Sequence, residues 1–372
     1  WTNLMSTKKD KFSFKDQLYM ELALDLAKSR EGHTGTNPSV GCVIVKDDNI
    51  ISIGQTSLGG RPHAEHNAIK DCTENLKGSI MYVTLEPCSH YGVTPPCTNT
   101  IIKSKIASVF YSTTDIDKRV HNKTKKILIS KKIKVKTGLL KNKIENFYIP
   151  YYYNKKKKLP YITGKIAISK NKLIYSRNDK RITNVQSDKL THLLRYKNDS
   201  IMISYKTLNK DNPRLNCRLK KSKKFTPKRI ILDNKLSLNK NSYLFRTANK
   251  DNTIVFYNEA NKSKILEFKK NKINLIKSNI NKTKKFDIMM VMKKLYTLGC
   301  RNILVEGGND LTGYLLKKKL FNKFYLFKSP KKLSELVEHK IFSNMKILKK
   351  KYNNKRKLKS NFGNDTIIRY MN

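Results

Sequence analysis

The chain has 372 residues, with 79 Lys or Arg against 28 Asp or Glu, a formal net charge of +51, 38% hydrophobic residues and six cysteines. That length exceeds one ordinary core and suits two domains of roughly 150 to 200 residues each. Recurring apolar runs argue against a disordered chain, none approaches the ~20 residues of a membrane helix, and unevenly spaced cysteines without a signal-peptide pattern point away from a disulfide framework and toward a reducing, cytoplasmic setting.

The charge calls for a separate reading. Lysines are dispersed through both halves and travel with asparagine, as in Asn171-Lys172, Asn261-Lys262, Asn271-Lys272 and Asn281-Lys282. Compositional drift in an AT-rich genome produces that texture. A nucleic-acid partner is not indicated, because neither half carries a compact basic stripe with interleaved aromatics.

Trp1 to Lys11 reads as an unstructured polar lead-in. Phe14 to Arg30 is predicted helical, since Leu18, Leu22, Leu26 and Met20, Ala23, Ala27 recur at helical spacing. Asn37-Pro38-Ser39-Val40-Gly41 leads into the β-branched run Cys42 to Val45, and Asp47-Asp48-Asn49 turns it back into Ile50 to Ile53 as a hairpin.

The next stretch organises the half. Arg61-Pro62-His63-Ala64-Glu65 is followed by a strand-like run, Ser79 to Leu85, and then by Glu86-Pro87-Cys88 and Pro95-Pro96-Cys97. One imidazole and two thiolates form the donor set of a zinc site whose fourth position is left for water. Pro62 and Pro95-Pro96 predict helix starts at His63 and Cys97, where unpaired N–H groups ease formation of a thiolate. Glu65 stands two residues after His63, where zinc nucleobase deaminases place a proton-shuttling carboxylate that does not touch the metal. Any one of these residues alone is ordinarily a packed core residue; the combination carries the reading. His66 and His90 are surplus, because three protein donors suffice for an open site. Helix Thr98 to Lys105 and strand Ser108 to Ser112 continue an alternation that implies an α/β sheet covered by helices.

Eight residues, Ser89 to Pro96, separate the two cysteines. Deaminases acting on tRNA or free cytosine usually carry two there, and the longer insert resembles that of the bifunctional deaminase/reductase family of riboflavin biosynthesis. The resemblance implies a cytidine-deaminase-like three-layer domain over residues 1–152, followed by a dihydrofolate-reductase-like α/β domain over 153–372. It implies zinc and NADPH as cofactors, a small-molecule pyrimidine nucleotide substrate and a homo-oligomer. Asn37 matches a substrate-binding asparagine of the family, although before Pro38 it is equally a good turn residue. Two departures bear on substrate grip: Val93 stands where a basic residue is common, and Asp115-Ile116-Asp117-Lys118-Arg119-Val120 replaces an Asp-Pro-rich loop.

Tyr151 to Pro160 is expected to hold the domain border, with Lys155 to Lys158 ending at Leu159-Pro160 as a solvated linker that does not continue a helix. Beyond it come strand Pro160 to Ser169, helix Ser187 to Tyr196, strand Ile201 to Ile203, and a polar loop containing Thr207, Asn209, Asp211, Asn212 and Pro213. Strands Arg229 to Asp233 and Thr253 to Tyr257, helix Asp287 to Leu298 and strand Asn302 to Val305 follow. Glu306-Gly307-Gly308 then opens a helix at Leu311 to Lys319, an arrangement that aims bare backbone N–H groups at a phosphate.

From the resemblance, Gly308, Asn309, Asp310, Leu311 and Thr312 would hold the NADPH phosphates, with Thr207 and Asp211 also at cofactor positions. Glu306, Arg195, Leu215 and Arg218 match substrate positions, the two arginines binding the ribose phosphate as forks. This half departs further from the family: Ser169-Lys170-Asn171-Lys172 lacks an expected acid and glycine, and Arg181 replaces a tryptophan. Past Ser329-Pro330 only Thr366 to Tyr370 looks like a closing strand. Two alternatives remain open, a deaminase with an inactive reductase half and, from the charge, an RNA-directed deaminase or RNA-binding protein.

Overall fold

The computed structural model describes residues 12–179, 181–219 and 225–372, so the lead-in Trp1 to Lys11 lies outside the described residues. The chain forms two compact units, Trp1–Lys156 and Lys157–Asn372.

In the first unit, helix α1 (Phe14–Ser29) starts at a reciprocal cap between Ser13 and Asp16 and buries Met20, Ala23, Leu24 and Ala27. Strands β1 (Gly41–Lys46) and β2 (Asn49–Gln55) pair through a two-residue turn in which Asp47 and Asp48 both take positive φ, 49° and 62°, as a type I′ hairpin requires. Helix α2 (Ala64–Lys70), strand β3 (Ile80–Leu85), helix α3 (Cys97–Lys103), strand β4 (Ser108–Thr113), helix α4 (Thr124–Ser130), strand β5 (Lys134–Thr137) and helix α5 (Lys141–Lys157) complete it. The sheet order is β2-β1-β3-β4-β5, antiparallel as far as β3 and parallel beyond. A shared core under α1, α2 and α5 includes Cys42, Val43, Ile44, Ala64, Ala68, Met81, Val83 and Tyr148.

The lysine run is not a linker. Lys155, Lys156 and Lys157 belong to α5, which accommodates Pro150 in its interior. Burial of Ile144 and Tyr148 on one face holds the helix where local propensity would not. The stop signal itself acts: Lys158 turns left-handed at φ 55°, just ahead of Leu159-Pro160.

The second unit contains β6 (Tyr161–Ile168), β7 (Leu173–Ser176), α6 (Val185–Lys197), β8 (Ser200–Ser204), α7 (Tyr205–Asp211), β9 (Lys228–Leu232), α8 (Tyr243–Arg246), β10 (Thr253–Tyr257), α9 (Lys262–Lys270) and β11 (Asn274–Lys277). These are followed by α10 (Ile288–Thr297), β12 (Asn302–Val305), α11 (Asn309–Lys317), β13 (Lys323–Lys328), β14 (His339–Ile341), α12 (Met345–Lys351), β15 (Asn354–Lys357) and β16 (Thr366–Met371). Nine strands form one sheet in the order β11-β10-β9-β8-β12-β6-β13-β16-β15, parallel from β11 to β13, while β7 and β14 pair separately. Parallel neighbours require crossovers, which the intervening helices supply.

One segment differs from the expected loop. Thr207, Asn209 and Asp211 lie on α7, whose N-terminus is capped by the Ser204 hydroxyl and whose C-terminus is closed by left-handed Asn212. A polar composition concealed a helix bounded by a good cap at each end.

Candidate deaminase and reductase sites

His63 is the N-cap of α2 and Cys97 the first residue of α3, so two helix starts converge on one point. His63 Nδ1 lies 3.6 Å from Cys88 Sγ and 3.4 Å from Cys97 Sγ, and all three donor atoms fall within 4.8 Å of one another. Zinc bonds of about 2.0 Å to nitrogen and 2.3 Å to sulfur, at a tetrahedral angle, separate the two donors by about 3.5 Å. The donor set therefore fits the metal in kind and spacing.

The Cys97 N–H donates to Cys88 Sγ at 3.2 Å. Hydrogen bonding from the Cys97 thiol, with further help from His63, pulls Cys88 down to about 4. Cys97 is pushed up in return by its bond to Cys88 and by burial.

Glu65 follows His63 on the first turn of α2 and is buried. Burial pushes its carboxyl up, with the Cys88 charge adding to the effect and His63 opposing it. A carboxyl whose charged form is disfavoured by burial holds a proton more readily than a solvated one, which suits a group that takes and returns one. Asn37 lines the same cavity as His63, Glu65 and Cys88, and its Nδ2 donates to the Gly60 carbonyl at 2.9 Å.

Glu86 shapes the opposite stretch of chain. Its carboxylate accepts backbone N–H groups from Asp115 at 3.2 Å, Asn122 at 3.1 Å and Thr124 at 3.2 Å, holding the loop that carries Asp115, Asp117 and Arg119 into the cavity wall. Tyr151 on α5 donates to Asp115 at 2.9 Å. Sequence reasoning did not single out Glu86; a carboxylate directly before Pro87-Cys88 was the available signal.

The second unit encloses a cavity of about 910 Å³ at the ends of its parallel strands. Thr207, Asp211, Glu306, Gly308, Asn309, Asp310 and Leu311 line it. Gly308 is the N-cap of α11, so the first N–H groups of that helix meet the cavity. Asn309 Oδ1 is taken up by the Ser343 N–H and Asn344 Nδ2. Buried Thr312 donates its hydroxyl to the Gly307 carbonyl at 3.2 Å, which fixes the turn and leaves the hydroxyl outside the lining.

Arg195 has a different geometry from the one the sequence suggested. Its Nε and Nη2 fork onto Glu306 at 2.7 and 2.8 Å, and Nη1 reaches the Asn216 carbonyl at 3.2 Å. The guanidinium fork is thus committed to positioning Glu306. Burial pushes Glu306 up, but the charge and hydrogen bonds of Arg195 outweigh it and leave the carboxyl below its usual value. Leu215 packs in the core at φ 54°, and Arg218 is exposed with its N–H on His192 Nδ1 at 3.4 Å; neither lines the cavity. Lys165 does line it, with burial pulling its pKa down and Glu306 opposing that shift. A single cation in the apolar strand Tyr161–Ile168 was a legible signal that the sequence reading passed over.

A helix-covered deaminase-like sheet with one imidazole and two cysteine sulfurs drawn together, joined to a dihydrofolate-reductase-like sheet with a cavity at a glycine-capped helix start, defines a zinc deaminase fused to a nicotinamide-dependent reductase. Known proteins agree. Residues 13–113 match the cytidine and deoxycytidylate deaminase zinc-binding region, and residues 164–368 match the RibD C-terminal domain. The riboflavin biosynthesis protein RibD of Aquifex aeolicus is 33% identical over 361 residues, spanning 95% of this chain and 97% of that protein. That of Actinobacillus pleuropneumoniae is 32% identical over 324 residues, spanning 86% and 85%. The chain belongs to the RibD family of riboflavin biosynthesis proteins. Among solved structures, the diaminohydroxyphosphoribosylaminopyrimidine deaminase/5-amino-6-(5-phosphoribosylamino)uracil reductase of Thermotoga maritima is similar with a TM-score of 0.79 and 26% identity, covering 96% of this chain and 98% of that one. Acinetobacter baumannii RibD shares the fold at a TM-score of 0.80 and 24% identity, with the same coverage.

Proposed function

We propose that the first unit hydrolytically deaminates 2,5-diamino-6-(5-phosphoribosylamino)pyrimidin-4-one and that the second then reduces the ribose of the product to a ribityl chain with NADPH. The observation that carries this is the convergence of His63, Cys88 and Cys97 within 4.8 Å, with buried Glu65 two residues from the histidine. Zinc held by those donors supplies the Lewis acidity that makes a water nucleophilic near neutral pH. Glu65 accepts a proton on its carboxylate as water adds to the amino-bearing ring carbon, then delivers it to the departing nitrogen so that ammonia leaves. Asn37 orients the pyrimidine from the cavity wall.

In the second unit, NADPH supplies the hydride. The backbone N–H groups after Gly308 would hold its phosphates, and Thr207 and Asp211 would take other cofactor positions along the same cavity. Glu306, held in place by Arg195, faces the ribose-derived imine, and Lys165 provides a proton from the same cavity wall. Six cysteines, none of them in a disulfide, suit a reducing cytoplasm, and a homo-oligomer belongs to the same reading. No helix among the described residues is long and apolar enough to cross a membrane. The family match across both halves favours two activities over an inactive second half or an RNA-directed enzyme.

The test is a purified chain assayed for zinc, ammonia release from the pyrimidine nucleotide, and NADPH oxidation. Bound zinc at one equivalent, with NADPH consumed only after deamination, is the expected result. A chain that takes up no zinc and releases no ammonia would refute the reading.

A further inference from the structure

Three permanent cations line the deaminase cavity: Arg61, Arg119 and Lys155. Two of them are already matched. Asp117 accepts Arg119 Nε at 3.0 Å and Nη2 at 2.6 Å, and lies 3.5 Å from Lys155 Nζ. Arg61 stands apart, with no carboxylate partner among the described residues. Its Nη1 donates to the Thr94 hydroxyl at 2.7 Å, and its Nη2 lies 3.5 Å from where a Cβ on Gly92 would sit. The guanidinium therefore rests on the loop between the two cysteine ligands, near enough for its charge to act on the His63 ring.

A partly buried cation without a counter-ion is unfavourable unless a ligand brings the anion. Guanidinium donors match two oxygens of a phosphate monoester at once, and with Nη1 anchored on Thr94 the remaining edge is already oriented. The substrate assigned above carries one such group on its ribose. Resting on that deaminase reading, we propose that Arg61 grips the substrate phosphate and sets the preference for the nucleotide over the corresponding riboside. Position 93 contributes nothing to this grip, because Val93 is apolar and 87% exposed.

The experiment compares kcat/KM of the zinc-loaded full chain for the pyrimidine nucleotide and for the riboside made from it by phosphatase. Arg61→Ala should lower the nucleotide-to-riboside preference by roughly tenfold to hundredfold, through KM, with zinc content retained. Arg61→Lys keeps the charge but loses the fork, and should fall between the two. Inorganic phosphate should compete with the nucleotide in the parent enzyme and much less in Arg61→Ala. An unchanged preference, or an equal loss for both substrates as expected of a residue that only braces the 92–94 loop, overturns the assignment. Turnover of neither substrate by the zinc-loaded parent overturns the deaminase reading itself, and Arg61's role with it.

Discussion

Replacing Arg195 by Met removes one half of the pair that holds Glu306. The two side chains are only 11% and 13% exposed, and the fork closes at 2.7 and 2.8 Å. Breaking a buried pair from one side costs about 3–5 kcal/mol, because the remaining charge is left without its counter-ion. Lys165 still acts on Glu306 electrostatically, and Met fills much of the vacated volume. The low end, about 3 kcal/mol, is therefore expected. For a unit of this size each kcal/mol moves Tm by about 2–4 °C, so the second unit's transition should drop by about 6–12 °C. Calorimetry of the intact chain, together with ammonia release as a check on the first unit, reads this directly. Because Glu306 has a folded pKa below its unfolded value, the pair's stabilisation is complete above the unfolded carboxyl range and is lost as pH falls through the folded pKa. The gap between parent and variant should accordingly narrow on acidification. Coupling also predicts that Arg195→Met combined with Glu306→Gln costs less than the sum of the two single changes. A transition temperature unmoved by Arg195→Met would refute the argument that this pair is a buried, mutually dependent unit.

Glu65→Gln should retain zinc while deamination falls by about 10²–10⁴-fold, since the residue moves protons and holds no metal; metal analysis beside an ammonia assay separates the two effects, and retained turnover would count against the role. Cys88→Ala and Cys97→Ala should each lose zinc, measurable by elemental analysis of the purified variants. Glu86→Ala strips the acceptor from three backbone N–H groups and should destabilise the first unit by about 1–3 kcal/mol, with a raised deamination KM; an unaltered melt and KM would remove Glu86 from its positioning role. Gly54→Ala would place a Cβ 2.2 Å from the Ala64 carbonyl and 2.5 Å from Ala68 N, forcing α2 outward. Since His63 caps that helix, zinc affinity should fall in Gly54→Ala, and competition with a chromogenic chelator would show whether it does.

The metal centre was legible because zinc restricts its donors to a few residue types and because proline announced both helix starts. His63 and Cys97 fall where those signals put them. Charged partners were less legible. Arg195 and Glu306 are 111 residues apart, and a sequence reports a cation and an anion without reporting that they meet. Arg195 was therefore matched to a substrate phosphate when its fork is taken by Glu306. The lysine run at the end of α5 misled for a related reason. Solvation of four lysines argues for a linker, whereas Ile144 and Tyr148 on the buried face of the same helix decide the outcome. In α7, side chains that favour loops were read without the Ser204 and Asn212 caps that bound a helix.

The same distinction between inventory and placement applies to the charge of +51. Dispersed lysines raise the potential around the whole molecule, which speeds the approach of any anion and selects none. Selection needs a cation that is both placed in a cavity and left unmatched. Asp117 removes Arg119 and Lys155 from that role in the first unit and leaves Arg61. In the second, Lys206 is drawn toward Asp310 at 3.6 Å, while Lys235, Lys284 and Lys285 line the cavity without a carboxylate partner among the described residues. Carboxylates, the scarcer charge in this chain by nearly threefold, thus decide which of its many cations remain available to a phosphate.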